Sequence, residues 1–125
     1  MNVLIVSPSE ELRAIILAAL QHSFAPSVSQ LFIVDTWAEA ERFEHGDFAV
    51  AIIDIDNEID YMHAVRSANF FYSCYTIVMT GRSFDQETVR ELNQAGAANV
   101  LVAPTVDRVV AEFSDFKTKV WESRL

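Results

Sequence analysis

The chain has 125 residues, of which 51% are hydrophobic and 22% are charged, and its formal net charge is −9. This length fits one domain with a single core, and this composition is that of an ordinary soluble globular protein. We expect no membrane association, because no apolar run could cross a bilayer and the first residues lack the basic stretch of a signal peptide. The acidic charge and the scattered Lys and Arg residues argue against direct nucleic-acid binding, which needs clustered positive charge.

Few side chains suggest thiol or metal chemistry. Cys74 is the only cysteine, so it forms no intrachain disulfide, and we expect a cytoplasmic location. His22, His45 and His63 are spread over different predicted elements, without the spacing of metal ligands. We therefore expect neither a redox centre nor a histidine-based metal site.

Short apolar runs alternate with amphipathic segments along the whole chain. The runs predict five strands, at residues 3–6, 31–34, 48–54, 75–80 and 99–103. The segments between and after these runs carry apolar residues at helical spacing and predict five helices. Alternation of this kind favours a doubly wound, mostly parallel sheet with right-handed crossovers.

Capping signals predict where several helices begin and end. Ser7, Pro8 and Glu10 suit a helix start, with a serine cap, a proline at the first helical position and a glutamate that completes a capping box. Thr36 and Glu39 form a second capping box. Pro26 and Gly46 are predicted to follow the first and second helices, and the third helix is predicted at residues 61–67. Ser83 is predicted to precede the fourth helix and Gly96 to end it, and the last helix carries apolar residues from Val106 onward.

The run at residues 48–54 is the most informative stretch, because it is apolar throughout and then ends in the carboxylate of Asp54. A continuous apolar run suits a strand that is buried on both faces of a parallel sheet. Such strands present their carboxyl ends to the crevice where ligands bind. We therefore expect Asp54 at the functional edge of the sheet, although a strand-end residue that only caps a loop remains the alternative.

On these features the chain resembles the receiver domain of two-component response regulators, including the single-domain chemotaxis regulator. The resemblance covers essentially the whole chain, residues 1–125. It rests on the order of the elements, on Asp54 and Thr80 at two strand ends, and on residues 95–104, which resemble the family's segment through its fifth strand. It implies a flavodoxin-like fold, with five parallel strands in the order 2-1-3-4-5 and helices on both faces. The chain would be one receiver-like domain, either complete or the N-terminal part of a larger regulator.

The resemblance also implies a role for two of these residues. In the family, a histidine kinase transfers a phosphoryl group to the aspartate that Asp54 matches. A Ser or Thr at the position of Thr80 then bonds the phosphorylated aspartate and draws its loop inward. The alternative to a switch role is that Thr80 is only a β-forming residue whose hydroxyl bonds to the backbone.

The rest of the family's reactive set is replaced in this chain. The family holds Mg²⁺ with two acidic residues after the first strand, where Ser7 and Pro8 stand here. It binds the phosphoryl oxygens with a lysine, where Ala103 stands, and its switch aromatic is replaced by Val100. One preorganised donor of this kind is worth roughly 3–4 kcal/mol in the transition state. We therefore expect a pseudo-receiver that is not an enzyme, with phosphorylation impaired or absent and no cofactor.

Two other functions stay open. A genuine phospho-acceptor would use Asp54 as acceptor and bind Mg²⁺ through Asp54 and Asp56, with Glu10 leaning over the pocket. The plainer interpretation of Asp56 and Glu10 is that they are solvated surface acids. A small α/β domain that binds a small molecule at the strand ends is the third class, and no residue specifically favours it.

The expected partners are proteins, either a histidine kinase or a downstream regulator or output domain. The aromatic run Phe70, Phe71 and Tyr72 falls between the third helix and the fourth strand, and Trp121 lies near the end of the chain. These four residues could form an interaction patch, including one for a homodimer, because interfaces are enriched in exposed aromatic residues. The alternative is that they fold back as additional core.

Overall fold

The structure is a computed structural model that describes residues 1–24, 28, 30–43, 47–72, 74–82 and 84–121. At Phe24, Phe71, Tyr72, Val120 and Trp121 it describes the backbone alone. The boundaries predicted at Pro26, Gly46 and Ser83 lie outside the described residues, as does His45.

Five parallel strands form one sheet in the order β2-β1-β3-β4-β5, as predicted. The strands are β1 (Asn2–Val6), β2 (Gln30–Val34), β3 (Phe48–Asp54), β4 (Tyr75–Thr80) and β5 (Ala97–Val102). Strand β2 lies on one side of β1, and β3, β4 and β5 follow on the other side. The order in which the strands are added therefore reverses between β1 and β3, which pair with each other. In open parallel sheets this switch point, at the carboxyl ends of the strands, is where ligands bind.

The helices are α1 (Glu10–Phe24), α2 (Trp37–Ala40), α3 (Tyr61–Tyr72), α4 (Gln86–Ala95) and α5 (Val106–Phe116). A short 3₁₀ turn (Ile55–Asn57) follows β3, and a π-type turn (Lys117–Trp121) continues α5. In the part of the chain that the structure describes, no helix combines the length and the apolar character that crossing a membrane requires.

The core consists of two apolar layers, one on each face of the sheet, as the doubly wound pattern predicts. Val3 and Ile5 of β1 point to one layer, and Leu4 and Val6 point to the other, because successive strand side chains alternate between faces. The first layer is completed from α1 and α5 by Ile16, Ala19, Leu20, Val109, Phe113 and Phe116. The second is completed from α2, α3 and α4 by Trp37, Ala40, Ala64, Val65, Ala68 and Leu92.

The predicted start of α1 was wrong by two residues. Ser9, not Ser7, caps the helix, since the Ser9 side chain accepts the N–H of Leu12 at 3.2 Å and its carbonyl accepts that of Arg13. The backbone of Ser7 instead prolongs the sheet, and its N–H donates to the Val34 carbonyl at 2.9 Å. Pro8 therefore lies before the helix rather than at its first position.

Two other helix boundaries differ from the sequence prediction. The N-cap of α4 is Asp85, whose side chain accepts the N–H of Thr88 at 2.7 Å. Helix α3 continues to Tyr72, five residues past the predicted end at Ser67, because no Gly or Pro interrupts that segment. The aromatic run at residues 70–72 is thus the last turn of α3 and not a loop.

Gly96 ends α4 as predicted, and its packing shows why a glycine is needed there. Its backbone φ angle is +120°, a value that residues other than glycine rarely adopt. A Cβ at this position would also lie 2.4 Å from the Cβ of Asn69 on α3. The close approach of α3 and α4 therefore depends on the missing side chain.

Candidate functional site

The carboxyl ends of the strands border a pocket of about 360 Å³ at the switch point. Asp54, Thr80 and Ala103, predicted to lie together, all line it, and Asp56 lines it as well. Ser7 lies directly behind, almost fully buried. The pocket wall also includes Glu11 from α1, whereas Glu10 is not part of it, which agrees with the plainer interpretation of Glu10 as a surface acid and not with the alternative that it leans over the pocket.

Asp54 is a buried carboxylate with three hydrogen-bond donors from the protein. It is 4% exposed. Its Oδ2 accepts the Ser7 hydroxyl at 2.7 Å and the Asn57 side-chain amide at 2.9 Å, and its Oδ1 accepts the N–H of Asp56 at 3.1 Å. Asp54 thus caps the 3₁₀ turn that follows β3, as the alternative interpretation of a strand-end residue expected. All three donors are electrically neutral.

Ser7 and Pro8 occupy the positions where the resemblance implies two acidic residues. The Ser7 hydroxyl donates its proton to Asp54 and accepts the N–H of Ser9 at 3.1 Å. The Ser7 carbonyl accepts a hydrogen bond from the guanidinium of Arg13, which also pairs with Asp35 after β2. The Ser7 position therefore supplies a neutral bridge between the ends of β1 and β3.

Removing the Ser7 hydroxyl is expected to destabilise the protein. Ser7→Ala leaves a buried carboxylate without one of its donors, and a hydrogen bond to a charged group contributes about 1.5–3 kcal/mol. Urea unfolding will measure this loss, with Ser114→Ala as control, because Ser114 is exposed on α5 and surface changes usually stay within about 0.5 kcal/mol. Equal free energies of unfolding for the two variants would contradict the structural role of the hydroxyl.

Thr80 is buried at the end of β4, and its hydroxyl is directed at Asp56 rather than at Asp54. Thr80 Oγ1 donates to Asp56 Oδ1 at 2.6 Å, and the N–H of Gly81 donates to Asp56 Oδ2 at 2.7 Å. Arg82 Nε adds a third donor at 3.3 Å. Asp56 is thus more than the solvated surface acid of the plainer interpretation.

These contacts set the ionisation of Asp56. Burial is the largest single influence on the pKa of Asp56 and opposes ionisation, but the bonds from Thr80, Gly81 and Arg82 together outweigh it. The pKa therefore lies below its ordinary value of 3.8. Asp56 is a carboxylate at neutral pH, and the stability that it contributes is present above about pH 4 and is lost as pH falls through the lowered value.

Ala103 and Val100 carry no polar side-chain group to the site. Ala103 follows β5 with a φ of 46°, and its N–H donates to the Thr80 carbonyl at 2.7 Å. Val100 is half-buried and packs against the layer of α2, α3 and α4. The end of β5 therefore contributes shape to the pocket, and its side chains contribute no charge.

Several contributors to the site were missed at the sequence level. Asn57 and Arg82 both bond to the carboxylates of the site, and Gly81 does so through its backbone. Their positions, directly after β3 and β4 in polar loops, were the available signal. Arg82 also stacks on Phe84, with its guanidinium carbon 5.5 Å from the ring centroid.

Metal binding at this site was predicted through Asp54 and Asp56 and remains a prediction. The two carboxylates line the same pocket and accept hydrogen bonds from Ser7, Asn57, Thr80, Gly81, Arg82 and the backbone of Asp56. Within the described ranges, no group of three or more His, Cys, Asp or Glu side chains could hold a metal ion.

The predicted interaction patch is only partly described. Phe70 is 78% exposed on the last turn of α3, on the opposite side of the helix from the buried Ala64 and Ala68. The side chains of Phe71, Tyr72 and Trp121 lie outside the described set. A contact surface for another protein at Phe70 therefore stays a prediction.

No protein-family model matches the sequence, and no curated protein matches it. Solved structures do match. A response regulator from Thermotoga maritima superposes with a TM-score of 0.79 at 14% identity, over 94% of this chain and 98% of the other. The response regulatory domain of protein mrkE from Klebsiella pneumoniae has a TM-score of 0.79 at 16% identity, over 98% of this chain and 99% of the other. The BeF3-activated DrrB receiver domain has a TM-score of 0.76 at 19% identity, over 94% and 97%.

These matches share one fold class. The sheet order and the near-complete coverage of both chains show that this chain has the flavodoxin-like fold of response-regulator receiver domains. The resemblance drawn from Asp54, Thr80 and the element order is thereby confirmed for the fold. At such low identities, function has to be argued from the residues of the pocket.

Proposed function

We propose that this chain is a receiver domain of two-component-type signalling that acts through contacts with other proteins and does not depend on phosphorylation of Asp54. The observation that carries the proposal is the hydrogen bonding of Asp54. Its carboxylate accepts bonds from Ser7, Asn57 and the backbone of Asp56, all neutral donors that are already in place. These bonds occupy both sites of Oδ2 and one site of Oδ1, so a single site of Oδ1 is left for attack on a phosphoryl donor.

Phosphoryl transfer to a carboxylate depends on cations, since the charge on the equatorial oxygens must be neutralised. Arg82, the one basic side chain bonded to a carboxylate of the pocket in the described structure, bonds to Asp56. Neither Ser7 nor Pro8 offers the carboxylate ligand that Mg²⁺ usually takes, and Arg82 repels a cation from Asp56. We therefore propose that the pocket works without Mg²⁺ or any other cofactor.

The proposed partners are a histidine kinase or a downstream regulator or output domain, and the proposed location is the cytoplasm. A homodimer is a further proposal, with Phe70 and its aromatic neighbours on α3 as its predicted contact. The chain would act as one receiver-like domain over residues 1–125, by itself or as the N-terminal part of a larger regulator. Its role would be binding rather than catalysis, as in receiver domains generally.

Intact-mass spectrometry after incubation with acetyl phosphate and Mg²⁺ tests the proposal. The wild type should gain no phosphoryl group within minutes, and Asp54→Asn should behave identically. A gain of one phosphoryl group by the wild type alone would overturn the proposal. That result would establish the alternative, a phospho-acceptor receiver with Asp54 as its acceptor and Asp56 near the metal.

A further inference from the structure

The carboxylate of Asp56 is held by three consecutive residues of the neighbouring loop. Thr80, Gly81 and Arg82 all donate to it, and both of its oxygens are used. We call this group of four residues the Asp56 clamp. It connects the 3₁₀ turn after β3 to the junction between β4 and α4, two segments that are 24 to 26 residues apart in sequence.

The donors of the Asp56 clamp are held in fixed orientations toward the Asp56 carboxylate. The Thr80 side chain is 3% exposed, and its Oγ1 accepts the N–H of Arg82 at 3.0 Å while its proton goes to Asp56. Gly81 brings its N–H within 2.7 Å of Asp56 Oδ2. Charge-assisted hydrogen bonds of this length are roughly twice as strong as neutral ones.

The clamp also connects the pocket's strand ends. The N–H of Asp56 donates to Asp54 Oδ1 at 3.1 Å, and Asp54 accepts the Ser7 hydroxyl from the end of β1. The Thr80 carbonyl accepts the N–H of Ala103 at 2.7 Å, which reaches the end of β5. One chain of hydrogen bonds therefore runs from β1 through β3 and β4 to β5.

We propose that Asp56 is a built-in anion that occupies the anion-binding donors at the end of β4 and thereby holds the β4–α4 junction against the pocket permanently. Thr80 and Gly81 present a hydroxyl and an amide that a bound anion would otherwise accept, and the chain supplies that anion itself. The inference rests on the proposed function, since a junction that is held by the chain's own carboxylate needs no phosphoryl group to hold it.

The arrangement has two consequences. The junction stays in one position whether or not a phosphoryl donor is present, so any partner that contacts it meets a constant surface. The Thr80 hydroxyl and the Gly81 amide are also taken and cannot bind an external anion, and Asp54, Asp56 and Glu11 along the pocket wall repel one. A partner would therefore recognise the closed junction and not a ligand-induced change.

Amide hydrogen exchange measured by NMR tests the clamp. In Asp56→Ala, the Gly81 amide should exchange at least about tenfold faster than in the wild type, because its acceptor is gone. The amides of Ile52 and Ile77 in the centre of the sheet report global unfolding and serve to normalise the rates. Asp60→Ala is the matched control, since Asp60 lies in the same acidic loop but bonds to the first turn of α3, where it accepts the N–H groups of His63 and Ala64.

Further variants separate the clamp from a loss of folding. Asp56→Asn keeps the size of the side chain but removes its charge and one acceptor, and it should also speed exchange at Gly81. Thr80→Val should speed exchange at Gly81 and Arg82, whereas Thr80→Ser keeps the hydroxyl and should leave exchange near the wild-type rate. At the Gly81 amide, the double variant Asp56→Ala/Thr80→Val should exchange no faster than Asp56→Ala, because Asp56→Ala alone already removes the acceptor of that amide.

Unchanged exchange at Gly81 in both Asp56 variants, relative to Asp60→Ala, would overturn the clamp. The outcome is separable from that of the proposed function, because exchange is measured without a phosphoryl donor. Phosphorylation of the wild type together with accelerated exchange in the Asp56 variants would disprove the proposed function and leave the clamp in place.

Discussion

A variant that carries Ser7→Asp, Pro8→Asp and Ala103→Lys is expected to be phosphorylated on Asp54 at least about 100-fold faster than the wild type. The two aspartates would supply the carboxylate ligands that Mg²⁺ takes, and the lysine would supply a cation for the phosphoryl oxygens. One preorganised donor alone is typically worth 10²- to 10³-fold in rate. The gain should vanish without Mg²⁺, because the metal is then missing from the same step.

Intact-mass time courses with acetyl phosphate will measure the rates. Adding Asp54→Asn to the restored variant is the control and should abolish labelling. Adding Asp56→Ala should raise the rate further, since Thr80 and Gly81 would then be free to bond the incoming group. Equal rates for the restored variant and the wild type would mean that factors other than these three side chains limit the chemistry.

Stability gives a second measurement of the same variant. Without metal it should be less stable than the wild type, because Ser7→Asp replaces a donor to Asp54 by a like charge. With Mg²⁺ at about 100 times its dissociation constant, binding should restore about 2.7 kcal/mol. The wild type should show no comparable rise in its thermal midpoint.

The sequence was sufficient for the sheet and for the place of the site. The apolar run at residues 48–54 favoured a strand buried on both faces, and the strand-helix alternation favoured a doubly wound parallel sheet. The strand order came from the family resemblance. Asp54 and Thr80 then had to meet at the same edge, because the carboxyl ends of parallel strands lie together. Both line the pocket in the structure.

The hydrogen-bond partners of the site residues could not be predicted from the sequence. Ser7 was predicted as a helix cap because its neighbours suit a helix start, but Ser9, two residues later, caps the helix and leaves Ser7 to bond Asp54. The bond between Asp56 and Thr80 depends on the conformation of two loops and on one rotamer, none of which has a periodic signal. Sequence patterns report faces and ends of elements, whereas hydrogen-bond partners depend on tertiary geometry.

The largest effect of a single substitution on stability is expected at Glu112 in α5. Glu112 is 1% exposed, and it accepts the Tyr75 hydroxyl at 3.0 Å and the Asn99 side-chain amide at 2.8 Å. Glu112→Ala leaves both donors without this acceptor, at about 1–3 kcal/mol each, so we expect a loss of about 2–6 kcal/mol in the free energy of unfolding. Glu112→Gln keeps one good acceptor and should lose about half as much.

Urea unfolding at constant m-value will give these losses, with Glu91→Ala as control because Glu91 is exposed on α4. An ultraviolet titration of Tyr75 provides an independent signal. Burial first, and then the charges of Glu112 and Asp115, raise the pKa of the Tyr75 phenol, so Glu112→Gln should lower it toward its ordinary value. A loss for Glu112→Ala no larger than that for Glu91→Ala would contradict the prediction. Because glutamine keeps both methylene groups, a clear loss for Glu112→Gln would mean that hydrogen bonding contributes to holding α5 on β4 and β5.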